Sequence, residues 1–430
     1  MGVLQTRVLE LAEQQSAPDW LSGLREQGAE RFAATPWPTR RTEHWKYTPL
    51  AGLAKKVLTP SETSSVDFQS VASVQSPAYR LVFVNGVFAE SLSDSLPAEI
   101  TLLASANAEQ SALIQQHLGR LADSREHLFA ALSESTLEQG ALIYVQAGQQ
   151  LDKPIYLLNY STGDAAQLSS TRHLVVLGEG AEAEIIEQFN TDSDQQNNLV
   201  ASYTEIVMAA NAKCKHYRLN LEGEGITHVG GVFVELGRDA QFNGFAFAKG
   251  AELIRNDYVL THRGSGAHVD LNGVYLPRGK QVVDYHTNIQ HCVPHCTSSE
   301  VFRGIIGDRA KAVFNGRIHI HQDAQKTLAE LSNKNLLTSN KAEVDTKPEL
   351  EIYADDVRCA HGATVAQLDD ESLYYLQTRG IDKDQAQIMI SFGFINELIQ
   401  GIENSAVVDF LLPIIAQQFG RSESLLQMEA

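Results

Sequence analysis

The chain has little of what export, membrane insertion or nucleic-acid binding requires. None of its apolar runs approaches the roughly 20 residues needed to cross a bilayer, and its first residues lack the basic and apolar parts of a signal peptide. The formal charge is −19, without a run of lysine and arginine comparable to a nucleic-acid footprint. Its four cysteines are too few for a disulfide scaffold, so we expect reduced thiols in the cytoplasm.

Two common signatures of catalysis are also absent. The sequence has no Gly-x₄-Gly-Lys-Ser/Thr phosphate loop and no Gly-x-Ser-x-Gly nucleophile turn. Glycine-containing segments at 178–181 and 264–267 resemble fragments of a dinucleotide loop, but neither opens a βαβ unit, and strand corners explain them better. The chain is therefore not itself predicted to be a P-loop ATPase.

The sequence pattern divides the chain into three parts. Residues 1–135 are predicted to form a helical and mixed region, 136–365 a β-rich core and 366–430 a C-terminal helical domain. In the core, a turn-rich step followed by an alanine and an alternating strand recurs about every 30 residues. The alanines are Ala181, Ala212, Ala240, Ala267, Ala310 and Ala342. This spacing favours a β-solenoid with alanines facing a tight interior, and a β-sandwich of short strands is the alternative.

The C-terminal domain contains an apolar stripe. Ile388, Phe392, Ile395 and Ile399 recur at helical spacing and therefore lie on one face of a predicted helix. Such a stripe is most often packed into the core of its own protein. A docking surface for another protein is the alternative.

A thiol and an imidazole lie two residues apart near the end of the β-rich core. If this segment is extended, Cys359 and His361 project to the same side. Thiolate and imidazole are preferred protein ligands of iron, zinc and iron–sulfur species. Because two ligands do not complete a tetrahedral site, either the pair is structural or a partner chain supplies the rest.

Two other groups of residues are candidates for metal binding. The string HCVPHC at 291–296 contains two thiols and two imidazoles, but Pro294 disfavours a regular helix there and the chain has no second Cys-x₂₋₄-Cys pair. His319 and His321 share one face of a predicted strand, similar to the His-x-His of cupin enzymes. A mononuclear metal-dependent enzyme, cupin-like or solenoid-based, is therefore the alternative function.

Six segments of the chain together resemble one known family. They are PTRRTEHWKYT at 38–48, VFNGR at 313–317, NKNLL at 333–337, KPELEI at 347–352, ADDVRCAHGAT at 354–364 and YYLQTRG at 374–380. In this order they are similar to the SufB/SufD family of iron–sulfur cluster assembly proteins. The length, and the absence of an extra cysteine cluster in the N-terminal third, resemble the SufD-type members.

The resemblance implies a mainly β fold, with a right-handed parallel β-helix core between N-terminal and C-terminal helical regions. It also implies a non-catalytic scaffold subunit in a SufBCD complex, in which a SufB–SufD heterodimer holds two copies of the ATPase SufC. In this family the ATPase docks on the C-terminal helical domain, which suits the stripe from Ile388 to Ile399. Homodimerisation of the isolated chain is left open.

The resemblance further implies a site for a transient iron–sulfur cluster. It places a nascent cluster at the SufB–SufD interface, where the histidine matching His361 acts beside a cysteine of SufB. The role of the cysteine matching Cys359 is less defined in the family, and the cysteines of the 291–296 string are not fixed family features. No cofactor is then expected to bind tightly to the isolated chain.

Overall fold

The computed structural model describes residues 2–15, 17–60, 66, 71–163, 165–192 and 197–419. Its helices are α1 (Val3–Gln14), α2 (Ser22–Ala34), α3 (Ala108–His117), α4 (Leu128–Ser135), α5 (Asp370–Thr378), α6 (Lys383–Gln400) and α7 (Ser405–Gln418). Its strands are β1 (Tyr79–Val84), β2 (Val87–Phe88), β3 (Ile100–Leu102), β4 (Ala141–Val145), β5 (Ile155–Ser161), β6 (Leu168–Leu177), β7 (Glu182–Thr191), β8 (Leu199–Met208), β9 (Lys213–Asn220), β10 (Thr227–Leu236), β11 (Gln241–Ala248), β12 (Leu253–His262), β13 (His268–Tyr275), β14 (Val282–His291), β15 (Thr297–Ile306), β16 (Lys311–Ile320), β17 (Leu328–Leu337), β18 (Glu343–Ile352) and β19 (Arg358–Gln367). None of the described helices is long and apolar enough to span a bilayer.

The strands from β4 onward alternate between two sheets. The sheet that we call odd has the order β19-β17-β15-β13-β11-β9-β7-β5-β1-β2, and the even sheet has the order β18-β16-β14-β12-β10-β8-β6-β4-β3. Stacked strands run parallel and in register, as where Leu253 at the start of β12 pairs with Val282 at the start of β14. The chain therefore winds as a two-sided parallel solenoid of about seven turns. The predicted solenoid is confirmed, and the sandwich alternative is wrong because its strands would pair mainly antiparallel.

The recurring alanines lie at the corners of the solenoid. Five of the six are completely buried: Ala181, Ala212, Ala240, Ala267 and Ala310. The residues immediately before the first four have positive φ angles of 56° to 79°, and they are Gly180, Asn211, Asp239 and Gly266. Only glycine, asparagine and aspartate visit this left-handed region readily. The geometry of the corner therefore explains the sequence repeat. Each such corner needs a residue that tolerates a left-handed backbone, followed by a side chain small enough for the interior.

The N-terminal helices cover the outer face of the even sheet. Val8 of α1, Phe32 of α2 and Phe129 of α4 are buried in one apolar cluster with outward-facing side chains of the sheet, such as Tyr203 and Phe233. A strap of residues 38–48 continues across the same face. This packing closes one side of the solenoid.

The C-terminal helices cover the outer face of the odd sheet. The predicted stripe of Ile388, Phe392, Ile395 and Ile399 is buried in a cluster with outward-facing residues of the odd strands, among them Phe245. The stripe is therefore core within this chain. Its predicted role in binding a partner stays a prediction, and a partner would have to contact the outward surface of the same helices.

Candidate functional site

The solenoid ends in an open rung. We call β18 and β19 the terminal rung, because each is the last strand of its sheet and pairs on one side only, β18 with β16 and β19 with β17. In the described part of the chain, no strand pairs with their other edges. Side chains that would face the interior of an ordinary rung are exposed here, including Ile352, 42% exposed, and Val365, 47% exposed. An uncapped apolar end is the usual mark of a surface that another chain covers.

Cys359 and His361 lie on this rung. In register they pair with Ala329 and Leu331 of β17, whose side chains are buried in the solenoid interior. Because parallel strands in register keep the same faces, Cys359 and His361 continue the interior face at the open end. The prediction that the two side chains share one side is borne out by this register.

The thiol and the imidazole differ in accessibility. Cys359 is half-buried against the interior apolar cluster, and burial raises the pKa of its thiol, which favours the protonated form. His361 is exposed. Since a ligand must be reachable to bind a metal, the exposed imidazole is more available than the half-buried thiol.

A buried polar network joins the terminal rung to the preceding turns of the solenoid. The hydroxyl of Tyr275 donates to Asn335 at 2.5 Å and accepts from Asn333 at 2.9 Å, and Thr346 of β18 donates to Asn333 at 2.9 Å. Asn335 also donates to the main-chain oxygen of Thr364 in β19 at 3.4 Å. Both strands of the rung are therefore fixed by side chains of the preceding turns.

The HCVPHC string does not form one site. His291 points inward, where its ring stacks on His262 at 4.2 Å and its Nε2 lies 3.0 Å from the Ser298 hydroxyl. The other three side chains occupy different surroundings: Cys296 is buried, Cys292 lies 3.7 Å from an Arg263 nitrogen, and His295 is exposed at a left-handed corner. The string is thus a solenoid corner whose side chains diverge.

The His319 and His321 rings lie together without a third ligand. His319 belongs to β16, His321 follows its last residue, and the two rings stack at 4.1 Å. Desolvation, with His321 and Arg317 nearby, lowers the pKa of His319. Among the described residues, no group of three or more His, Cys, Asp and Glu side chains is arranged to hold a metal ion. The geometry therefore gives the metalloenzyme alternative no support.

Sequence reasoning missed the exposed apolar rim of the terminal rung. Besides Ile352 and Val365, the rim includes Tyr353, 62% exposed, whose ring lies 5.5 Å from that of His319. The adjacent Ile-Tyr pair at a strand end was visible in the sequence. Only the stacking order, however, reveals that no further strand covers it.

The fold and the site define a class of protein, a parallel β-solenoid whose open end carries side chains able to bind metal. Two family models match the chain: the SufBD protein N-terminal region over residues 6–157, and the SufBD core domain of SUF-system iron–sulfur cluster assembly over residues 158–394. The chain belongs to the SufB/SufD family of iron–sulfur cluster assembly proteins, as its motifs predicted.

Within the family the chain is of the SufD type. It is 35% identical to the iron–sulfur cluster assembly protein SufD of Escherichia coli over 91% of this chain and 92% of that protein. It is 30% identical to an iron–sulfur cluster assembly SufBD family protein of Synechocystis over 88% of this chain and 86% of the relative. Identity to SufB of Bacillus subtilis is 23%, over 68% of this chain and 62% of that protein.

Proposed function

We propose that the chain is a scaffold subunit of a cytoplasmic SufBCD complex, in which SufB covers the terminal rung and a nascent iron–sulfur cluster forms at their interface. The open rung, with Cys359 and His361 on its interior face, is the observation that carries this proposal. Family membership supports it, because the relatives are iron–sulfur cluster assembly proteins. The cluster is cargo, and the isolated chain keeps no cofactor.

An incomplete ligand set suits a scaffold. A structural site with four protein ligands holds its metal firmly, whereas an assembly site has to release what it builds. One imidazole from this chain, completed by ligands from SufB, gives a site that exists only in the complex. His361 is the principal ligand in this proposal because it is exposed, and Cys359 is a half-buried neighbour that would have to lose its proton and move before it could bind.

The terminal rung is also suited to the proposed heterodimer. Unpaired strand edges and an exposed apolar rim favour association with a second chain that can extend the sheets or cap the interior. The same surface would account for a homodimer of the isolated chain, with SufB displacing the second copy.

The proposed ATPase surface is on the C-terminal helices. Since the stripe from Ile388 to Ile399 is packed inward, docking of SufC would use the outward surface of this domain, where Tyr374 and Tyr375 are 68% and 57% exposed. Nucleotide hydrolysis belongs to SufC in this proposal. The present chain would transmit the resulting motion to the rung without catalysing a reaction.

The test is a single substitution at the ligand. In a copurified complex of the three proteins, His361→Ala is expected to leave assembly intact and to lower the cluster formed by anaerobic reconstitution about tenfold or more. Visible absorption with iron and sulfide analysis measures the yield. His295→Asn is the matched control, since His295 is also exposed on the solenoid and asparagine tolerates its left-handed backbone. Normal cluster yield from His361→Ala would refute the assignment.

A further inference from the structure

The strap of residues 38–48 packs on the even sheet, and the side chains on the inward face of the strap make the contacts. The hydroxyl of Thr48 donates to the buried carboxylate of Asp284. The guanidinium of Arg255 lies 4.5 Å from the centre of the Trp45 ring. Because these contacts fix the inward face of the strap, the remaining side chains of the strap are held in place at the surface.

A groove of about 470 Å³ lies between the strap and the last strands of the even sheet. Four cationic and two acidic side chains line it: Arg40, Arg41, Lys46, Lys347, Glu43 and Asp345. Both acids are engaged, Glu43 by Lys347 at 3.0 Å and Asp345 by Lys311 at 2.6 Å.

The other three cations of the groove are not neutralised in this way. Arg40, Arg41 and Lys46 are exposed, and none lies within ion-pair distance of a described carboxylate, although Arg40 is near enough to Glu343, and Lys46 to Glu43, to help lower the pKa of each carboxyl. Lys46 extends over the ring of Tyr47 at 5.0 Å. The groove therefore carries a local positive charge.

The cations of two other grooves are mostly held in ion pairs. A groove between α2 and α3 is lined by three arginines and one aspartate, but Arg31 lies 3.9 Å from Glu134 and Arg125 pairs with Asp123. A groove of about 490 Å³ near the start of β5 is lined by three lysines and four carboxylates, and two of the lysines are ion-paired: Lys213 with Glu182 at 2.8 Å and Lys215 with Glu403 at 2.5 Å. The whole chain has a formal charge of −19. An excess of unpaired cations in one groove of so acidic a protein indicates a selective attraction for negative charge.

We propose that the strap groove binds an acidic segment of another protein. The cations are carried by long exposed side chains spaced along the strap, an arrangement that suits several carboxylates in a peptide better than one compact phosphate. Tyr47 and Val313 add apolar contact in the same groove.

The groove borders the terminal rung, since Lys347 and Asp345 belong to β18. A protein bound there would lie beside the proposed assembly site, where a donor or an acceptor of the cluster has to approach. Binding of the acidic segment does not depend on the proposed function, but this role for the bound protein rests on it.

The experiment uses the full-length chain and a fluorescently labelled peptide of alternating glutamate and glycine, with binding measured by anisotropy at low salt. Charge reversal in the variant R40E/R41E/K46E is expected to weaken binding about tenfold or more. The control variant K55E/K153E/K383E reverses three exposed cations elsewhere, and Lys153 lies over the ring of Tyr79 much as Lys46 lies over that of Tyr47. It should weaken binding about twofold at most.

Three outcomes would overturn the proposal. Equal loss in both variants would mean that the peptide responds to net charge alone, and no measurable binding to the unaltered chain would mean that there is no site. Displacement of the peptide by an equal concentration of inorganic phosphate would indicate a small-anion site instead. The strap variant should melt at the temperature of the unaltered chain and still form cluster in the reconstituted complex, so failure of this proposal and of the proposed function are distinguishable.

Discussion

Strands β12 and β19 have the same length and the same parallel pairing, yet their surroundings are opposite. Nine of the ten residues of β12, which lies between β10 and β14, are buried, whereas no residue of β19 is buried. The strand sequences do not differ enough in apolar content to cause this. The neighbouring turns cover the interior face of β12, and the N-terminal region covers its outer face, where Leu253 lies in the cluster of α1, α2 and α4. The terminal rung has no next turn in the described chain. The difference indicates that stability comes from the middle of the solenoid, while its end is available for association.

The sharpest test of this comparison removes a buried charge from the middle. Arg218 in β9 is completely buried, binds the carboxylate of Glu187 and donates to Asn256 at 3.1 Å. Burial alone would raise the pKa of Glu187, but Arg218 and His216 beside it lower that pKa below its ordinary value. Arg218→Ala would leave this carboxylate uncompensated, so we expect the free energy of unfolding to fall by about 3–5 kcal/mol.

Denaturant unfolding measures this loss, and an arginine of the terminal rung provides the control. Arg358 is exposed on β19, so Arg358→Ala should change the free energy of unfolding by less than about 0.5 kcal/mol. Similar losses in the two variants would mean that the terminal rung is as tightly held as the middle.

The winding of the chain could be predicted from sequence because its corners have strict chemical requirements. A left-handed Gly, Asn or Asp followed by a buried alanine occurs at four of the six predicted corners, and the solenoid prediction depended on that repeat. The placement of Cys359 and His361 on one side followed from strand geometry alone. These are local constraints, and local constraints are visible in a sequence.

Which face of a strand is inside could not be predicted so easily. In β9, Tyr217 and Leu219 alternate with His216 and Arg218, and a simple reading would place the apolar pair in the interior. The reverse is true, because helices α6 and α7 cover the outer face of the odd sheet and bury Tyr217 and Leu219 there. Polar side chains then occupy the interior by bonding one another across turns. Such long-range pairing leaves no pattern within one strand.

A second prediction uses a buried acid inside the solenoid. Burial raises the pKa of Glu300 to about 8, whereas the ordinary value is 4.5. The folded chain therefore retains a proton that the unfolded chain loses, and the free energy of unfolding should fall as pH rises between these values. We expect Glu300 to contribute a decrease of about 3 kcal/mol between pH 5 and pH 8.

The variant Glu300→Gln isolates this contribution, because glutamine keeps the shape and does not titrate. Denaturant unfolding at the two pH values should give a smaller decrease for the variant than for the unaltered chain. An identical pH dependence in both chains would show that Glu300 titrates in the folded state as it does in water, and that the interior at β15 is more hydrated than its burial indicates.

The smallest effect on stability is expected at the terminal rung. It tests most directly whether the end of the solenoid differs from its middle. Ile352 and Val365 face the open interior and are already about half exposed, so Ile352→Ser together with Val365→Ser should lower the free energy of unfolding by about 1 kcal/mol at most. If a second chain covers this end, the same change removes apolar contact from the interface, and copurification with SufB should fall sharply on size-exclusion chromatography.

Ile289→Ser, at a completely buried position on β14, is the matched control and should do the opposite, with a large loss of stability and no direct effect on the interface. An unchanged complex from the double variant would place the partner elsewhere, and a loss of stability as large as that of Ile289→Ser would mean that the end of the solenoid is not open.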